Sequence, residues 1–175
     1  FFLFSVLGWM VESIYMSFCN HKLTNRGFMT GPFCPIYGVG AVVGYLVLHP
    51  FANNLVALYF VGAVLATVFE YLVAKLMLRL FGEVWWDYHD KPCNYKGIVC
   101  LESTIAWGFY AVIIITFLFD KIMKLIDRYP VAWGIRTIGL VFVMALFDFG
   151  YHFAVATGIS GKCRRYISEY IESRK

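Results

Sequence analysis

Charge is what this sequence has least of. Only 15% of its 175 residues are Asp, Glu, Lys or Arg, where a soluble domain carries about 25%, and 61% are apolar. Mean hydropathy is +0.69. That shortage excludes a disordered chain, a coiled coil and an ordinary cytosolic enzyme, because so much apolar surface needs a cover other than water. Cysteine is sparse as well: the five residues contain no CxxC and cannot all pair within one chain, which excludes a secreted disulfide scaffold. Signature motifs are also missing. There is no GxxxxGK[ST], GxSxG or HExxH, so no ATPase, serine hydrolase or zincin chemistry is written here, and any ATPase must be a separate chain. Asp87, His89, Cys93 and Cys100 fit no zinc spacing, and neither a metal nor a cofactor is expected.

What is present is a series of apolar blocks, each near the roughly 20 residues that cross a hydrocarbon core. Five are read: about Phe1 to Cys19, Phe33 to Leu48, Leu55 to Leu78, Ile98 to Phe119 and Val131 to Ile159. The expected fold is an all-α polytopic membrane helix bundle over residues 1–160, followed by a basic cytoplasmic tail over 161–175. The first block lacks a basic flank and a small-residue cleavage site, so it is expected to be a retained helix. The second contains Gly38, Gly40 and Gly44, and the last two, spaced i and i+4, allow a close helix crossing. Between the third and fourth blocks lies FGEVWWDYHDKPCNYKG, too polar to cross lipid. DKIMKLIDRYP, after the fourth, suggests a short interfacial helix.

The net charge of +4 does not point to nucleic acid, because the basic residues sit at the ends of apolar blocks. Placing the N-terminus outside puts eleven of the fifteen on the inner side: Lys22, Arg26, Lys75, Arg79, Lys91, Lys96, Lys162, Arg164, Arg165, Arg174 and Lys175. Lys121, Lys124 and Arg128 fall outside, and Arg136 in the outer half of the fifth span. The expected location is therefore the cell membrane, multi-pass, with a cytoplasmic C-terminus.

An internal two-helix repeat is suggested by the spacing. Arg26-Gly27 leads after ten residues to Gly38, preceded by Tyr37. Lys96-Gly97 leads after ten to Gly108, preceded by Trp107. Each pair opens an even-numbered span, and each follows an odd-numbered span with an internal glutamate, Glu12 and Glu70. Asp148 holds the corresponding place in span five.

An ionised group inside a bilayer costs from about 2.5 kcal/mol to above 10, so each one needs a protein or water partner. Glu12, Glu70, Glu102, Asp148 and His152 all fall in the inner halves of their spans. Their common depth is expected to gather them around an inward-open polar cavity; isolated structural hydrogen bonding is the alternative, and headgroup snorkelling is easiest for Glu102. Asp148 and His152, spaced i and i+4, share one helix face and suit a proton relay or a helix-stabilising pair. Arg26, beside Gly27, Gly31 and Pro32, suits either a re-entrant turn that pairs with a carboxylate or a positive-inside anchor. In the long loop Trp85, Trp86 and Tyr88 read as interfacial belt residues, whereas Asp87 and Asn94 could line a cavity mouth.

The strings GWMVES, RGFMTGPFCPIYGVGA, FEY, WWDYHDKPCNYKGIVCLE and TIAWG together resemble the bacterial polytopic membrane proteins named putative ABC-transporter type IV, over roughly residues 5 to 120. The resemblance implies a permease-like role and draws attention to Tyr37, Trp86, Tyr88 and Cys100 beside the carboxylates. It brings no substrate. The expected function is integral membrane transport, with Glu12, Arg26, Tyr37, Glu70, Asp87, Asn94, Glu102, Asp148 and His152 binding a small polar solute or ion. Alternatives are a membrane-embedded enzyme acting on a lipid or isoprenoid substrate, and a small regulatory membrane subunit. The lipid bilayer is the expected surrounding partner. Five spans in so short a chain also suggest a homo-oligomer or a separate ATPase chain.

Overall fold

The structure is a computed structural model that describes residues 1–25 and 28–159; Arg26 and the basic tail lie outside the described residues. It is an all-α bundle. Three helices are long and apolar enough to cross a membrane: α1 (Phe2–Asn20), α3 (Leu55–Phe81) and α6 (Val131–Ala156). Between them α2 (Pro35–Leu48) is continued by a tight turn over His49–Phe51, at the His-Pro step where the sequence stops the span.

The fourth expected span is one continuous helical path in three parts. α4 (Leu101–Ile113) passes through a π-helical stretch, Ile114–Leu118, into α5 (Phe119–Asp127). The interfacial helix expected from DKIMKLIDRYP is therefore the end of span four rather than a separate element. A π stretch adds a residue to the turn and re-aims the helix beyond it. Here it delivers Phe119 onto Tyr45 of α2, with ring centroids 3.9 Å apart, and buries Ile122. α4 also starts later than hydropathy suggests, because Tyr95 and Val99 form an isolated bridge and Cys100 caps the helix through Ser103.

Two tight helix pairs build the bundle, α1 with α2 and α3 with α4. In each, a glycine admits a neighbour that any Cβ would overlap: the Tyr37 ring at Gly8, Ser5 at Gly38, Ala111 at Gly62 and Tyr59 at Gly108. A small apolar core of Leu48, Leu58, Ala111 and Ile115 joins α2, α3 and the span-four helix. The expected i, i+4 glycine crossing is corrected. Gly40 meets Phe69 only at ordinary contact distance and Gly44 has nothing within 4 Å, so the close approach in α2 belongs to Gly38.

α6 stands differently, with none of its residues buried. Its C-terminal part meets the loop between α1 and α2 and the rings of Phe28 and Phe81. Nearer its middle, Phe142, Ala145 and Leu146 form one wall of an apolar cavity of about 130 Å³ against Phe1, Phe2 and Phe33.

Candidate functional site

Glu70 sits at the α3–α4 contact and is 9% exposed. Its two oxygens have different donors. Tyr88, from the loop between α3 and α4, donates its hydroxyl to Oε1 at 3.1 Å, and Trp107 of α4 donates Nε1 to Oε2 at 3.1 Å. The Ser103 hydroxyl is also within hydrogen-bonding reach. One turn away, Thr67 of α3 and Thr104 of α4 share a hydrogen bond of 2.9 Å. Hence the pair α3–α4 is joined by polar groups at the depth where apolar packing was all the composition required. All three groups around Glu70 are neutral, and no cation stands against it among the described residues.

Glu12 of α1 repeats the pattern in the first pair. Tyr37 of α2 donates to Glu12 Oε1 at 2.5 Å. The aromatic donors Tyr37 and Trp107 each immediately precede the packed glycine of their helix, Gly38 and Gly108, and each reaches the glutamate of the preceding odd-numbered span. The suggested two-helix repeat therefore has a matching hydrogen-bond geometry.

Burial pushes the Tyr88 hydroxyl above the ordinary phenol range; the charge of Glu70 adds to this, and that of Glu12 contributes more weakly. Tyr88 therefore remains a protonated donor at physiological pH. Its hydrogen bond is made to Glu70, whereas Glu12 is bonded by Tyr37.

The other predicted residues are distributed elsewhere. Asp148 and His152 form a separate cluster on α6, 3.4 Å apart. Asp148 accepts the backbone N–H of Gly31 at 2.8 Å and of Thr30 at 3.2 Å, and His152 Nε2 meets the Thr30 hydroxyl at 2.8 Å. Expecting all the carboxylates around one cavity is thus corrected: similar depth does not fix which way a helix is turned, and Asp148 faces the loop between α1 and α2. The cavity beside α6 and an apolar groove between Val47 and Phe60 are lined by none of the predicted site residues.

Asp87 is exposed and pairs with His89, whose backbone N–H, and then its ring, hold the Asp87 carboxyl below the usual range. Asn94 binds the loop to itself, donating to His89 O at 3.1 Å and Lys91 O at 2.9 Å. Glu102 lies at the surface, 2.9 Å from Lys91, and this contact raises the lysine pKa. Water screens such an exposed pair, so it adds little to stability. Replacing Lys91 with alanine is therefore expected to move the melting temperature by no more than a few degrees, measured in detergent at low and high salt.

Sequence reasoning missed Trp107 and Thr30 as site residues, and noted Gly31 only as part of a turn. Trp107 was visible as the repeat partner of Tyr37. The family resemblance drew attention to Tyr88 without giving it a role.

Helices of membrane length, a carboxylate buried between two of them and a polar loop folded over one end define a polytopic integral membrane protein. The family model described as putative ABC-transporter type IV matches residues 1–153, and the chain belongs to that family. No curated protein and no solved structure matches it.

Proposed function

We propose that the protein is the membrane-spanning component of a transporter, in which Glu70 is the centre of a site for a small polar solute or ion and Glu12 shapes its charge. The observation that carries this reading is a buried carboxylate surrounded by neutral donors at the contact of two spans. Taking a carboxylate out of water without a counter-charge is costly, and such groups inside membranes mark solute and ion paths. Family membership supports the transport class. Under this reading the loop between α3 and α4 faces the cytoplasm, the cell membrane is the site of action, and ATP, where it drives the cycle, is hydrolysed by a separate chain. Tyr37 positions Glu12. Asp87, Asn94 and Glu102 lie in or beside the loop outside the centre, and Asp148 with His152 fastens α6.

Glu70→Gln is the test. Glutamine keeps a carbonyl oxygen for Trp107, and its amide can donate to the Tyr88 hydroxyl, so the fold should survive. The full-length chain would be melted in the presence of a panel of monovalent and divalent cations, amines, sugars and amino acids. A ligand at 100 times its Kd stabilises by about 2.7 kcal/mol, a shift of several degrees in a chain of this size. The expected result is a shift in the wild type from at least one class of compound and none from it in Glu70→Gln. Equal shifts in both proteins would overturn the assignment.

A further inference from the structure

We propose that residues 83–99 form an inner cover over Glu70, pinned by the Tyr88 hydroxyl, and that the ligand which displaces the pin is a hydrogen-bond-donating cation of the ammonium type. This rests on the assignment of Glu70 as the centre of the site.

The segment is built as a unit. Tyr88 N–H donates to Gly97 O at 2.9 Å, Gly97 N–H to Asn94 Oδ1 at 3.1 Å, and Trp86 Nε1 to Ile98 O at 2.8 Å. Its ends turn at glycines in the left-handed region, Gly82 with φ 79° and Gly97 with φ 66°, and His89 packs so closely on Gly97 that no side chain fits there. Internal bonding of this kind lets a segment move without unfolding. Among the described residues, the polar ties leading from it to the spans include the exposed Lys91–Glu102 pair and the bond from Tyr88 to the buried Glu70. The second is the stronger constraint, because it is made to a charged acceptor shielded from water.

The same bond states what the ligand must look like. A carboxylate only accepts, so whatever replaces Tyr88 at Oε1 has to donate, while Trp107 keeps Oε2. Glu70 has no cation beside it among the described residues, so a positive ligand gains the whole attraction of a desolvated charge, and an anion meets repulsion. The rings of Trp107 and Tyr88, already at the carboxylate, are surfaces on which an ammonium is favoured over a hydrated metal ion. A bare monovalent ion such as potassium offers no N–H and does not replace the hydroxyl.

Hydrogen exchange read by mass spectrometry on the full-length chain in nanodiscs tests this. Methylammonium chloride is the probe, with potassium chloride and sodium acetate at equal ionic strength as comparisons. Tyr88→Phe is expected to speed amide exchange across 83–99 by about tenfold without ligand, since losing one bond to a charged partner is worth about 1.5 kcal/mol or more. Methylammonium is expected to speed it in the wild type and not in Glu70→Gln; the two salts are expected to do neither. Wild-type exchange rates in Tyr88→Phe would overturn the cover. An equal response to potassium, or a methylammonium response that persists in Glu70→Gln, would overturn the ammonium assignment. A compound that stabilises the wild type but not Glu70→Gln, found together with unchanged exchange in Tyr88→Phe, would sink the cover and leave the transport reading standing.

Discussion

Gly8→Leu is expected to separate α1 from α2 and lower the melting temperature by about 10 °C, or to prevent accumulation of folded protein. The atoms that a Cβ at position 8 would overlap are Cβ, Cγ and Cδ2 of Tyr37, close to the α2 backbone and unable to swing away as a side-chain tip would. The helices must part. Overpacking of this kind costs about 1–3 kcal/mol and more where the backbone has to move, and in a chain of this length each kcal/mol shifts melting by roughly 2–4 °C. The displacement also carries Tyr37 away from Glu12, so the carboxylate loses a donor inside the membrane. Gly44→Ala is the control, since nothing lies within 4 Å of it and alanine favours helix by up to about 1 kcal/mol. It should melt within about 2 °C of wild type. If Gly8→Leu melts there as well, α1 and α2 do not cross at Gly8.

That pair of glycines also shows what the sequence reveals and what it hides. Small residues announce that a helix approaches something closely, yet the approach depends on helix rotation, which spacing within one span does not determine. Gly40 and Gly44 carried the expected i, i+4 pattern, and the crossing falls on Gly38. The carboxylates teach the same lesson. Depth was legible from position along each span, but rotation was not: α6 turns Asp148 toward Thr30 and Gly31. Class of fold was fully legible, since apolar block length and charge scarcity are set by the bilayer itself. Donors were the hardest part to read. Tyr88 and Trp107 belong to residue types that ordinarily sit at a membrane interface, so the resemblance that marks Tyr88 and the repeat that marks Trp107 did not by themselves make either a donor to a buried carboxylate.

Asp148→Ala is the second large effect expected, because α6 buries no residue of its own and depends on polar contacts in its C-terminal part. One carboxylate there accepts two successive backbone N–H groups, from Thr30 and Gly31, in a turn that proline prolongs. Pro32 has no N–H to offer, so those two are the donors this turn must satisfy. Alanine leaves them without an acceptor; the part-buried Gly31 N–H loses up to about 1–3 kcal/mol, which corresponds to amide exchange there faster by about 5- to 150-fold, and the exposed Thr30 N–H, able to turn to water, loses less. Asp148→Asn should fall between, since one oxygen keeps one N–H while its amide opposes the other. The His152 contact with the Thr30 hydroxyl, at 2.8 Å, limits how far the helix can drift, so His152→Ala combined with Asp148→Ala should release α6 further than either alone. Exchange at Thr30 and Gly31 that stays at wild-type rates in Asp148→Ala would mean that ring contacts of Phe149 and Phe153 hold α6 without the carboxylate.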